Sequence, residues 1–212
     1  MIRDLLPRLR GAPASAALFG LVFLVQALPA VTVAVEQSRR LTTGRPVLLA
    51  TATRDPRDLL RGEYSVLSYE IGQPANLPAA PDLAASCPAQ GACPLAAGTT
   101  VYVTLVPGED GLSRAAAVAA APPADGALAL RGTVRFGTLV PGGSAVCPAA
   151  RCLAGAVTYG IERWYGPQGA PAALDRLDRG RIRIRARVDA AGGAVLDAVL
   201  VDGREVARTP RL

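Results

Sequence analysis

Arg181-Ile182-Arg183-Ile184-Arg185-Ala186-Arg187-Val188 alternates charge and hydrocarbon without a break. Side chains along a strand point to opposite faces in turn, so four arginines share one face and Ile182, Ile184, Ala186 and Val188 share the other. A helix would scatter both sets around its circumference. Ala191-Gly192-Gly193 follows, then a second apolar run over 194–202, which predicts a hairpin. Upstream, residues 99–106 and 112–120 predict another hairpin around Pro107-Gly108-Glu109-Asp110-Gly111. Further strands are expected at 47–53, 64–71, 128–139 with a bulge at Gly132, 154–164, and a short edge at 206–208. The 22 Gly and 18 Pro supply the punctuation that short elements need. About eight short strands, with one helical turn in 169–178, make the expected fold all-β, an antiparallel barrel or sandwich.

Residues 11–35 carry no formal charge. As a helix they reach roughly 37 Å at ~1.5 Å per residue, more than the ~30 Å hydrocarbon core of a bilayer. Arg3, Arg8 and Arg10 precede the run and Glu36, Arg39 and Arg40 follow it. The expected organisation is a cytoplasmic N-terminus (1–10), a transmembrane anchor (11–35), a polar stem (36–45) and one extracytoplasmic β domain (46–212). A cleaved signal peptide ending near Ala34 is the alternative reading.

Cys87 and Cys93, and Cys147 and Cys152, sit in two Pro/Gly/Ala-rich loops. An even number of loop cysteines suits an oxidising compartment, and the favoured pairing is local, 87–93 and 147–152. A four-cysteine zinc site and unpaired apolar cysteines are the alternatives. With the anchor and these cysteines, the expected location is the plasma (inner) membrane, with the bulk of the chain outside the cytoplasm.

Only 4% of residues are aromatic, so Ala, Val and Leu must build the core. Every basic residue is Arg: no Lys and no His occurs. That removes the Ser-His-Asp triad, the Cys-His pair, Lys chemistry and His-containing zinc sites. No cofactor and no metal is expected. A formal charge of +6 with few stacking residues argues against nucleic acid.

Two further blocks hold four of the five tyrosines and the single tryptophan. In the first, Asp55-Pro56 reads as a helix start with Asp58 in its first turn, Arg61 before a breaking Gly62, and Glu63-Tyr64-Ser65-Val66-Leu67-Ser68-Tyr69 as a strand. Glu63, Leu67 and Tyr69 share one strand face; Tyr64 and Val66 share the other. One reading makes Asp58, Arg61, Glu63 and Tyr69 a polar rim for a ligand or partner. The other makes them a capped turn, an ion pair and core tyrosines with tethered hydroxyls. The second block is Tyr159-Gly160-Ile161-Glu162-Arg163-Trp164-Tyr165, followed by Pro167-Gln168-Gly169.

These two blocks resemble the GDYXXLXY family, with Glu63 where the family motif has Asp and Gln168 where its Pro-Glu-Gly turn has Glu. The resemblance covers about 47–71 and 155–205. It implies a bacterial, membrane-associated protein that partners a multi-pass membrane protein, and it implies no reaction.

Three functional readings follow. The first is a non-enzymatic interaction subunit whose surface draws on both blocks. The second is an acid-residue hydrolase of an envelope glycan or peptide, with Glu63 and Glu162 as its carboxylate pair. The third is an anion- or anionic-lipid-binding module using Arg181, Arg183, Arg185 and Arg187, a stripe about 20 Å long at ~3.3 Å per residue. The alternative for the stripe is a solvated face paired across the sheet with Asp197 and Asp202.

Overall fold

The computed structural model describes residues 12–52, 64–85, 87, 88 and 90–210. It divides into two units, 1–39 and 40–212.

The first unit is the body of helix α1, Ala12–Thr43. Its segment Leu18–Thr43 has a mean hydropathy of 2.3 in its most apolar stretch, is unburied there, and is long and apolar enough to cross a membrane. Pro29 sits inside the helix, and the Thr32 hydroxyl donates to the Pro29 carbonyl at 2.8 Å. The helix continues through residues 36–43 of the expected stem.

The second unit is all-β. Twelve strands occur among the described residues: β1 Arg45–Ala50, β2 Tyr64–Val66, β3 Leu77–Pro78, β4 Cys93–Leu95, β5 Thr100–Pro107, β6 Ser113–Ala119, β7 Ala129–Pro141, β8 Arg151–Thr158, β9 Arg163–Tyr165, β10 Ile182–Val188, β11 Ala194–Val201 and β12 Arg204–Arg208. Short helices α2 (Pro81–Ala84) and α3 (Ala170–Asp175) complete the set. Five strands run in the order β3-β8-β7-β5-β6, with β4 added on β7. A parallel bridge from Ala79 to Val118, with the Ala80 N–H donating to the Val118 carbonyl at 2.8 Å, brings the two ends together. The result is a near-closed antiparallel barrel. A four-stranded sheet, β1-β10-β11-β12, and a two-stranded ribbon, β2–β9, pack on the same core.

That core is aliphatic, as the composition requires. Leu49, Val101, Val103, Val118, Leu130, Leu139, Leu153, Ile184 and Val199 are wholly buried. The alternation of Arg and apolar residues over 181–188 is obeyed: Ile182, Ile184, Ala186 and Val188 are buried and the arginines between them are not. Gly192, in the hairpin turn, fits for two reasons. Its φ is +81°, and a Cβ would lie 2.9 Å from the Arg131 nitrogen, where the Arg131 N–H donates to the Gly192 carbonyl.

Both local disulfides are formed, Cys87–Cys93 and Cys147–Cys152. Their partners meet one end of β7, since Cys93 lies opposite Leu139 and Cys152 opposite Val140. The buried Arg151 guanidinium donates to the carbonyls of Pro88, Gly91 and Leu139, tying the first disulfide loop to the second.

Several expectations need correction. Gly132 is no bulge: it pairs in register with Val101, and is glycine because a Cβ would meet Val157 Cγ1 at 2.4 Å and the Tyr159 ring at 3.0 Å. The bulge lies at Arg135, between Val134 and Phe136. The strand expected over 64–71 ends as a ladder at Val66, with a bridge at Tyr69 and a 3-10 turn at Glu70–Gly72. The strand expected over 154–164 is two strands, because Gly160 (φ +81°) turns the chain. The stretch 72–98, from which no element was expected in the sequence, contains β3, α2 and β4. The helix start expected at Asp55-Pro56, with Asp58, Arg61, Gly62 and Glu63, lies outside the described residues.

Candidate functional site

The two blocks singled out in the sequence come together. β2 and β9 pair antiparallel, with Tyr64 opposite Tyr165, Ser65 opposite Trp164 and Val66 opposite Arg163. Beyond the ladder the Leu67 N–H donates to the Glu162 carbonyl at 2.8 Å. Two buried tyrosines then exchange bonds: the Tyr69 hydroxyl donates to the Ile161 carbonyl at 2.6 Å, and the Tyr159 hydroxyl to the Ile71 carbonyl at 2.7 Å. Each block thus supplies a phenol to the other's backbone. Burial pushes the Tyr69 phenol well above its ordinary range, with the Glu162 charge adding to the effect, and Tyr159 is raised by the same two causes.

The inward face is structural. Ser65, Leu67 and Tyr69 are buried, and Ser65 Oγ lies 2.5 Å from the Asp175 carboxylate at the end of α3, which also accepts from Arg179 at 3.0 Å. Tyr69 is therefore a core residue with a tethered hydroxyl, not part of a polar rim. Trp164 is also buried.

The outward face carries Tyr64, Val66, Arg163 and Tyr165. The Tyr64 and Tyr165 rings are tilted against each other with centroids 5.5 Å apart, and the Arg163 guanidinium lies over the Tyr64 ring at 5.8 Å. Tyr165 is 67% exposed. Beside this face runs a groove of about 770 Å³, lined among others by Ser68, Gln73, Arg135, Glu162, Arg163 and Tyr165. Sequence reasoning missed Arg135 and Gln73. Arg135 is delivered by the β7 bulge, a device that re-aims a side chain and leaves no periodic trace in the sequence.

Glu162 is committed to the backbone. Oε1 accepts from the Tyr159 N–H at 2.5 Å and Oε2 from the Gly160 N–H at 2.9 Å, which fixes the turn between β8 and β9. Its proposed catalytic companion, Glu63, lies outside the described residues, as do Asp55, Asp58, Arg61 and Gly62.

The arginine stripe is an ion-pair ladder. Arg181, which precedes β10 in a 3-10 turn, meets Asp202 at 2.5 Å. Arg185 and Arg187 both reach Asp197, at 2.9 and 3.4 Å, and Arg185 also reaches Glu205 at 2.5 Å, which Arg208 shares. Burial opposes the charge on Asp197, but the hydrogen bond and charge of Arg185, with Arg187 beside it, hold its carboxyl below the usual range. Of the four stripe arginines, only Arg183 has no carboxylate partner among the described residues. Among those residues no group of His, Cys, Asp or Glu is placed to hold a metal.

A family model described as "GDYXXLXY protein" matches residues 26–199. Comparison with curated proteins and with solved structures returns no match.

Proposed function

The chain belongs to the GDYXXLXY family, and on that premise we propose that it is an interaction subunit anchored in the inner membrane by its apolar helix, with its β domain outside the cytoplasm, where it engages an integral membrane protein. One observation carries the reading. Two blocks about ninety residues apart are stitched into one ribbon whose outward face is an arginine-backed tyrosine pair bordering a groove. Tyr and Arg are the residues most enriched at interface hot spots, and a rigid, exposed aromatic costs little entropy on docking. The apolar helix and the two disulfides support the location. The arrangement favours recognition over acid-residue hydrolysis, because both Glu162 oxygens are already taken by backbone N–H groups.

The test is a mild-detergent pull-down from native membranes. The wild type is expected to retain a stoichiometric membrane protein that Tyr165→Ala loses and Val206→Ala, a comparably exposed position on β12, keeps. Equal retention by Tyr165→Ala, with the fold intact, refutes the surface.

A further inference from the structure

We propose that the groove beside the ribbon holds an extended acidic peptide segment of the membrane partner, gripped by Arg135 and Arg163; this rests on the interaction reading above. Charge complementarity points to this occupant. Arg40, Arg114, Arg179, Arg181, Arg185, Arg187 and Arg208 each have a carboxylate partner within the domain. Arg135 and Arg163 are exposed, line the same groove, and have none among the described residues. Among the described residues the groove's lining includes a single acid, Glu162, whose oxygens accept from the Tyr159 and Gly160 N–H groups. Among the described residues the lining therefore carries two guanidinium groups against one carboxylate that is held by the backbone, a net positive pattern that favours a carboxylate-bearing occupant.

The shape favours a chain over a compact ligand. Arg135 also borders a second, shallower depression of about 570 Å³, lined by Leu95 and by Phe136, which is 65% exposed. An occupant running from Tyr165 past Arg135 to Phe136 meets aromatic, cationic and aromatic contacts in turn. Arg163, already stacked on Tyr64, is held in place before binding.

Fluorescence anisotropy of the full-length protein in non-ionic detergent tests the idea with two short labelled peptides, one of alternating Asp and Ala and one of alternating Asn and Ala. The Asp peptide is expected to bind at least about tenfold more tightly, with affinity falling as salt rises. The Arg135→Gln/Arg163→Gln variant is expected to lose that preference. Arg183→Gln/Arg204→Gln, which removes the same charge elsewhere, is expected to keep it. Equal binding of the two peptides, an unaffected groove variant, or an equal loss in the control variant each overturns the acidic occupant. If the peptides are not distinguished while Tyr165→Ala still loses the membrane partner, the interaction reading stands and only the occupant's chemistry falls.

Discussion

Replacing Tyr69 by Phe removes one hydroxyl from a side chain that is 2% exposed, and leaves the ring's packing unchanged. The Ile161 carbonyl loses the donor that sits 2.6 Å from it. A buried acceptor left unsatisfied costs about 1–3 kcal/mol. In a domain of this size that corresponds to a fall of roughly 2–4 °C in Tm per kcal/mol. Tyr64→Phe makes the same chemical change on the outward face, where the residue is only partly buried and its hydroxyl makes no hydrogen bond among the described residues. It is expected to cost less than about 0.5 kcal/mol. The assay is urea denaturation in mild detergent, read by fluorescence of the chain's single tryptophan, Trp164, which is buried in the same ribbon opposite Ser65. An unchanged midpoint for Tyr69→Phe, or an equal loss for Tyr64→Phe, refutes the division of the ribbon into a structural face and a presenting face.

Alkaline pH is expected to act through Tyr69 and Tyr159. Their folded pKa values are raised above the value near 10 of a free phenol, so the stability they contribute is full below about pH 10 and is lost as pH rises through the folded values; ultraviolet titration should show two of the five tyrosines ionising only on unfolding, and Tyr159→Phe should flatten the alkaline fall. Asp197→Ala is expected to cost about 2–3 kcal/mol, below the ~3–5 of a fully buried pair because Arg185 and Arg187 keep about a quarter of their surface. Since the Asp197 pKa is lowered, the stability it contributes should disappear as pH falls below about 4 in the wild type and be missing at all pH in the variant, which urea midpoints against pH will show. Removing either disulfide by paired Cys→Ser replacement should cost about 2 kcal/mol, because the closed loops span separations of only 6 and 5 residues, and should leave native Trp164 fluorescence intact without denaturant.

The parts legible in sequence were those with a repeating period or a strong turn. The β10–β11 hairpin stands where the Arg/Ile alternation and Ala191-Gly192-Gly193 place it, and β5–β6 lies around its Pro-Gly turn. α3 is the single helical turn expected in 169–178. The Asp202-Gly203 signal for the β11–β12 turn was present but unused: both residues have positive φ, 51° and 78°, and β12 is longer than expected. The 72–98 stretch was opaque because β3 and β4 are two and three residues long, too short to show a period. At the candidate site, sequence could list Tyr64, Tyr69, Tyr159, Glu162 and Trp164 but not their roles. Which phenol is buried depends on the pairing of segments about ninety residues apart, and Glu162 reads as a free acid until its backbone partners are seen.

The most direct measurement is site-specific photo-crosslinking in native membranes, with a photoreactive phenylalanine at position 165 or, as the control, at position 206. The account predicts an adduct with one integral membrane protein from position 165 and none from position 206. No adduct from position 165 in a folded protein, or the same adduct from both positions, would contradict it.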